Sequence, residues 1–234
     1  MSAVAPKRPE WVDILNKQIE ENPKFTAYAL STLSPEGQPK VRYVIHRGIT
    51  PGNILLTSTD SRMQKPVHLS NNPILEIAWW IDDAAVQFRI TGEGYPIPSP
   101  NAENGAQLID TAVKALGAEE TEGREGNAEF WEGKRKELWE KEMSGHLRGS
   151  FGRPNPGKKL SEIKEKPEDW ISRLDASSDD PTMKKDIEFA LNNFALLAIR
   201  PTGVEFLELK PTPNKRTQWH KQADGGWDRV EVAP

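Results

Sequence analysis

The chain has no cysteine. Disulfides, thiolate nucleophiles and cysteine-ligated metals are therefore excluded, and a reducing compartment is compatible with the composition. Histidine is scarce: His46, His68, His146 and His220 are scattered, no two stand four residues apart, and there is no HExxH. The expectation is no metal site. No stretch approaches the roughly 18 apolar residues of a membrane span. The opening MSAVAPKRPE has no apolar signal core, which points to a soluble cytoplasmic protein. GxSxG, the P-loop and GxGxxG are all missing, so nucleophile-elbow hydrolysis and the standard nucleotide cradles have no support. Nor is there an excess of positive charge. The net charge is −4, against a nucleic-acid binder that works by counterion release.

What is present is enough for a real core. The 234 residues are 36% hydrophobic and 28% charged, with eight tryptophans, which fits one domain over 1–234 with an insertion. Trp11, Ile14, Leu15 and Ile19 recur at helical spacing within 9–22. Segments 25–33, 39–49, 54–58, 75–81 and 84–95 read as strands joined by turn chemistry, a run that suggests a meander heading toward a barrel. Between the third and fourth lies a short helix over 62–71, with Thr59-Asp60-Ser61 as its N-cap cluster. Trp79-Trp80 spans both faces of the fourth strand: one indole is core, the other meets a partner or ligand. The character changes after Pro96. Residues 98–182 read as a helical excursion with helices over 106–116 and 130–143, an acidic loop at 119–127 and a short helix near 167–174. A helix over 186–193 follows. Then come a hairpin (194–201 and 204–209, turning at Thr202-Gly203) and a closing pair, 215–221 and 227–232.

Arg42, Arg47, Arg62 and Lys65 lie on or beside apolar strands instead of on a solvated helix face. Along the second strand Val41, Tyr43 and Ile45 alternate with Arg42, Val44 and His46, so one face is apolar and the other cationic. Arginine offers phosphate a bidentate fork and lysine a point charge, and a helix N-terminus adds free N–H groups. Three or four charge-assisted bonds of about 1.5–3 kcal/mol each would hold a phosphomonoester. Solvated charge on edge strands is the plainer alternative. Gln87 and Arg89 share one face of the fifth strand. An amide both donates and accepts, which suits the edge of a heteroaromatic ring.

In this order the residues resemble the pyridoxamine 5'-phosphate oxidase-like FMN-binding split-barrel proteins, and more the flavin-domain branch than the oxidase itself. RYVIHR (42–47) is similar to the family's R-x-V-L-L-K strand. Leu56-Thr57 stands for its Y-T, TDSRMQK (59–65) for its S-R-K turn, and VQFRITG (86–92) for its Q-V-R strand. PTGVEFL (201–207) and the 215–230 hairpin resemble its C-terminal motifs. The oxidase's R-L-H motif is Arg216-Thr217-Gln218 here, without the histidine, and its Y-F-x-x-R-P-x-x-S clamp is not visible; Leu147 to Phe151 occupy that region.

The resemblance implies a mainly β, α+β fold: a Greek-key split β-barrel with flanking helices, a homodimer with FMN at the interface. It implies that Arg42, Arg62 and Lys65 hold the phosphate. Arg47 and Gln87 would contact the ribityl chain or ring, Val44, Thr57 and Arg89 would also belong to the cofactor site, and Arg148 and Arg216 would approach from the partner chain or the closing hairpin. The activity implied is FMN-dependent oxidoreduction on an unread small-molecule substrate; a non-catalytic flavin carrier or sensor is the alternative.

Overall fold

The structure is a computed structural model that describes residues 8–117 and 126–234. Most of the expected acidic loop, and the N-terminal residues of the signal reading, lie outside the described residues.

Six antiparallel strands close a barrel in the order β3-β2-β1-β4-β5-β6, and β3 pairs with β6 to shut it. The strands are β1 (Ala27–Leu33), β2 (Pro39–Ile49), β3 (Leu55–Asp60), β4 (Ile74–Ile81), β5 (Val86–Ile97) and β6 (Phe194–Glu208). β7 (Lys215–Lys221) and β8 (Trp227–Val232) extend the sheet beyond the barrel along the second half of β6. Helix α1 (Glu10–Glu21) sends Trp11, Val12 and Leu15 into the barrel core beside Tyr28, Leu30, Ile77, Trp79, Phe88 and Phe206. No helix among the described residues is long and apolar enough to cross a membrane.

The first five strands are not a meander. After β3 the chain rises into α2 (Gln64–Asn71), and β4 then pairs with β1 instead of β3. The resulting spatial order is that of a Greek key. It follows from α2 packing against β1 and β5, which carries the chain past β3 and leaves β3 free to close on β6.

β6 also departs from the expected hairpin. It is one strand of 15 residues, with Thr202-Gly203 inside it. Thr91 pairs with Gly203 but Gly92 with Pro201, so Thr202 is an extra, bulged residue. A bulge bends a strand without ending its ladder. Here it lets the first half of β6 pair with β3 and the second with β7. A Cβ on Gly92 would lie 2.6 Å from the Arg200 carbonyl oxygen, so only glycine permits this close pairing.

The first half of β6 is buried on both faces. Leu197 and Ile199 belong to the barrel core. Phe194, Leu196 and Ala198 pack outward with Ile54, Leu56, Tyr95 and Ile97 against the helical excursion. The excursion comprises α3 (Gly105–Gly117), α4 (Ala128–Glu137) running into a π-helical turn (Leu138–Glu142), α5 (Gly145–Phe151) and α6 (Pro181–Asn193). The expected helix near 167–174 is only a 3₁₀ turn, Pro167–Asp169. Arg135, 2% exposed, clamps this layer to the barrel: Nη1 donates to the Leu191 and Phe194 carbonyls, and Nε and Nη2 to Glu132.

Candidate cofactor site

The alternation of β2 holds, but its cationic face is the one turned toward the barrel. Arg42 and Val44 pair in register with the inward residues Leu30 and Tyr28. Val41, Tyr43 and Ile45 are left exposed, Tyr43 by 78%. A strand in a one-sided sheet ordinarily turns its apolar face inward; here that face awaits a cover of its own.

The inward stripe of β1 runs Tyr28, Leu30, Thr32, apolar until its last member. Thr32 accepts from Arg42 Nη1 at 2.7 Å, and Arg42 Nη1 also reaches the Leu30 carbonyl. Across the barrel end, α2 brings Lys65 and His68 to the same place. Thr32 Oγ1 lies 3.0 Å from His68 Nδ1. Lys65 Nζ donates to Thr59 Oγ1, at the end of β3, at 2.6 Å. The expected N-cap is absent: Met63 holds that position without a side-chain cap, and Asp60 instead accepts from the Arg62 backbone N–H.

Lys65 is 6% exposed. Its ammonium is pushed down to about 8, first by burial and then by the nearby Arg42 charge, with Asp60 opposing. Arg42 is itself lowered by burial. A buried and a partly buried cation set against each other cost free energy unless an anion joins them. Lys65 carries three N–H donors, and Thr59 takes one. The donor set fits a phosphate.

The other residues named from sequence fall into separate groups. Val44 and Thr57 are in the barrel wall, with Thr57 Oγ1 donating to the Ile45 carbonyl. Gln87 and Arg89 lie on the outer face of β5, where Arg89 Nε donates to Gln87 Oε1. Glu205 beside them accepts from Arg216 Nε and Nη2, and from Gln218. Arg47 donates to the Glu142 carbonyl. Arg148 is tied to the carbonyls of Trp139, Met143 and Leu174. Arg62 binds Asp60 through Nε and Nη2, and the Phe151 and Arg153 carbonyls and Asn155 through Nη1 and Nη2. It pins the 151–155 loop to the barrel. A cavity of about 530 Å³ beside it includes Arg153, Lys158, Trp170 and Phe189 in its lining. Arg153 also donates to a backbone carbonyl there, so Lys65 and Arg42 remain the stronger anion site. Sequence reasoning missed Thr32, Thr59 and His68. The one signal for Thr32 was a polar residue ending an apolar stripe.

Replacing Arg62 by alanine is expected to lower the unfolding free energy by about 3–5 kcal/mol, because the Asp60 carboxylate, 3% exposed, would lose its ionic partner. Chemical denaturation measures it, and a change below about 1 kcal/mol would show that the pair is not structural.

Residues 8–97 match the family described as pyridoxamine 5'-phosphate oxidase, FMN-binding domain. The matched stretch holds Arg42, Thr59, Lys65 and His68, so the cation cluster lies wholly within it. A pyridoxine/pyridoxamine 5'-phosphate oxidase of Microcystis aeruginosa is 25% identical over 96% of this chain and 86% of that protein. The fold is also that of two solved structures. One is a pyridoxamine 5'-phosphate oxidase-related, FMN-binding protein of Nostoc punctiforme, with TM-score 0.67 and 24% identity over 97% of this chain and all of that one. The other is PhzG of Burkholderia lata, solved with tetrahydrophenazine-1-carboxylic acid, with TM-score 0.58 and 13% identity over 100% and 95%. The barrel is the split barrel of this family.

Proposed function

We propose that the protein binds FMN, with the phosphate held between Arg42 and Lys65, and that it acts as a homodimeric FMN-dependent oxidoreductase. The observation that carries the reading is buried Lys65 set beside partly buried Arg42 at the barrel end, supported by the family match over the same residues. Bound FMN would supply hydride or single-electron transfer. The chain's own part is to orient it. Arg42 is seated by Thr32 and the Leu30 carbonyl, and Lys65 by Thr59. Gln87 would meet the ring edge and Arg47 the ribityl chain. Arg89 and Arg216 would act from the outer face, and Arg62 by holding the 151–155 loop. Arg148 would do the same for the turn before α5.

The dimer is supported by the outer face. Val41, Tyr43, Ile45, Ile74 and Trp80 are exposed large side chains on the outer face of β2 and β4, strands that flank β1 in the sheet. A second copy across this face would cover it and bring the outer-face residues of one protomer toward the other. A non-catalytic flavin carrier is the second reading, favoured by the neutralisation of Arg216 by Glu205 on that face.

The purified protein is expected to show flavin absorption bands, or to acquire them with added FMN, and to sediment at twice the chain mass. A colourless protein that added FMN does not stabilise thermally would overturn the reading. Steady-state oxidation of NAD(P)H with an acceptor separates enzyme from carrier.

A further inference from the structure

We propose that His68 is a positioning residue for the phosphate site: its neutral imidazole orients the Thr32 hydroxyl that seats Arg42, and protonating it weakens the grip on phosphate. This rests on the reading of Arg42 and Lys65 as the phosphate's ligands.

The hydrogen bonds favour one direction. A guanidinium only donates, so Thr32 Oγ1 accepts from Arg42 Nη1. The threonine proton must then go elsewhere, and its partner among the described residues is His68 Nδ1. With His68 Nδ1 as that acceptor, the threonine proton is satisfied and the ring's own proton is left on Nε2. The chain runs from Arg42 to Thr32 to His68, linking β2, β1 and α2. His68 is 4% exposed, so the ring has little room to turn away from Thr32.

Protonation reverses the last link. Imidazolium donates from both nitrogens, so Thr32 Oγ1 would face two donors and its own proton would have no acceptor. The arginine would lose its alignment. The charged groups acting on His68 are Arg42 and Lys40 of β2, which oppose a proton, and Glu36 of the β1–β2 turn, which favours one. Burial and Arg42 outweigh Glu36, and the ring is held below its ordinary value.

The test compares FMN and riboflavin affinities from pH 5 to 8 in the wild-type protein and in His68→Gln, by flavin fluorescence. Glutamine keeps an oxygen acceptor for Thr32 and does not titrate. The phosphate's own second ionisation, near pH 6, acts on both proteins alike. Between pH 8 and pH 5, wild-type FMN affinity is expected to fall about tenfold relative to the variant, with riboflavin unaffected. A pH-independent ratio, or a wild type that gains affinity in acid, would overturn the proposal; the latter would make His68 a direct cationic ligand. If FMN and riboflavin bind the wild type equally well, the phosphate reading itself fails and takes this one with it. If wild-type FMN binding is phosphate-dependent but the ratio is flat, only the role of His68 fails. Imidazole ¹⁵N spectra of the wild-type protein, which need no variant to fold, are expected to show Nδ1 bare at neutral pH. A protonated Nδ1 would also overturn it.

Discussion

Replacing Lys65 by methionine is expected to stabilise the cofactor-free protein while weakening FMN binding roughly 10- to 150-fold. The two effects have one cause. Lys65 is charged at pH 7 in a place where burial and Arg42 push its ammonium down from 10.5 to about 8. The unfolded chain binds that proton more readily than the folded one, so folding at pH 7 carries a penalty of about 3 kcal/mol. The penalty is largest below the folded value and fades as pH rises toward 10.5. Methionine keeps the apolar stem and removes the charge, and the apparent melting temperature should rise by several degrees. A phosphate turns the same charge into a ligand, worth about 1.5–3 kcal/mol. Thermal shift without and with FMN reads both effects. The wild type should gain the most from FMN, and the variant should start higher and gain little. A variant that is less stable at pH 7, or that binds FMN as tightly as wild type, would show that Lys65 is not a strained anion ligand.

The second large effect concerns His46. Its ring packs against Trp79, centroids 5.1 Å apart, and Nδ1 is buried with no hydrogen-bond partner among the described residues. Burial, helped by Arg47, pushes it down from 6.5 to about 4. The unfolded chain takes up a proton near 6.5 and the folded one only near 4, so stability falls as pH drops through that window and levels off below it. The expected loss is about 3 kcal/mol by pH 4. His68 acts in the same direction, so the diagnostic quantity is the difference between wild type and His46→Phe. Urea unfolding from pH 7 to pH 4 should show the wild type losing about 3 kcal/mol more than the variant. Parallel pH profiles would mean that His46 titrates normally in the folded protein.

The outer face is where sequence periodicity and packing part company. Val41, Tyr43 and Ile45 read as the side of a strand that belongs inside, yet they are exposed, and Arg42 turns inward beside Leu30. Period-2 alternation tells which residues share a face. It does not tell which face meets the core, because a second covering surface satisfies the apolar side equally well. The same limit applied to Trp79-Trp80: one indole had to be core, and packing chose Trp79, with Trp80 42% exposed.

By itself the sequence determined most of the strands and the longer helices, because alternation and turn residues act within a few positions of one another; the single 15-residue β6 and the helix Gly145–Phe151 were not among them. It also determined the family likeness, carried by motifs in order. It excluded cysteine chemistry outright. Only the tertiary structure decided that β4 lies beside β1, that β6 bends through Thr202 instead of turning back, and that Arg62 is bound to Asp60 and the 151–155 loop. It also brought Thr32, Arg42, Thr59, Lys65 and His68 to one end of the barrel. Thr32 and His68 are 36 positions apart. Contacts over such distances are set by how the barrel closes, and no local pattern encodes that closure.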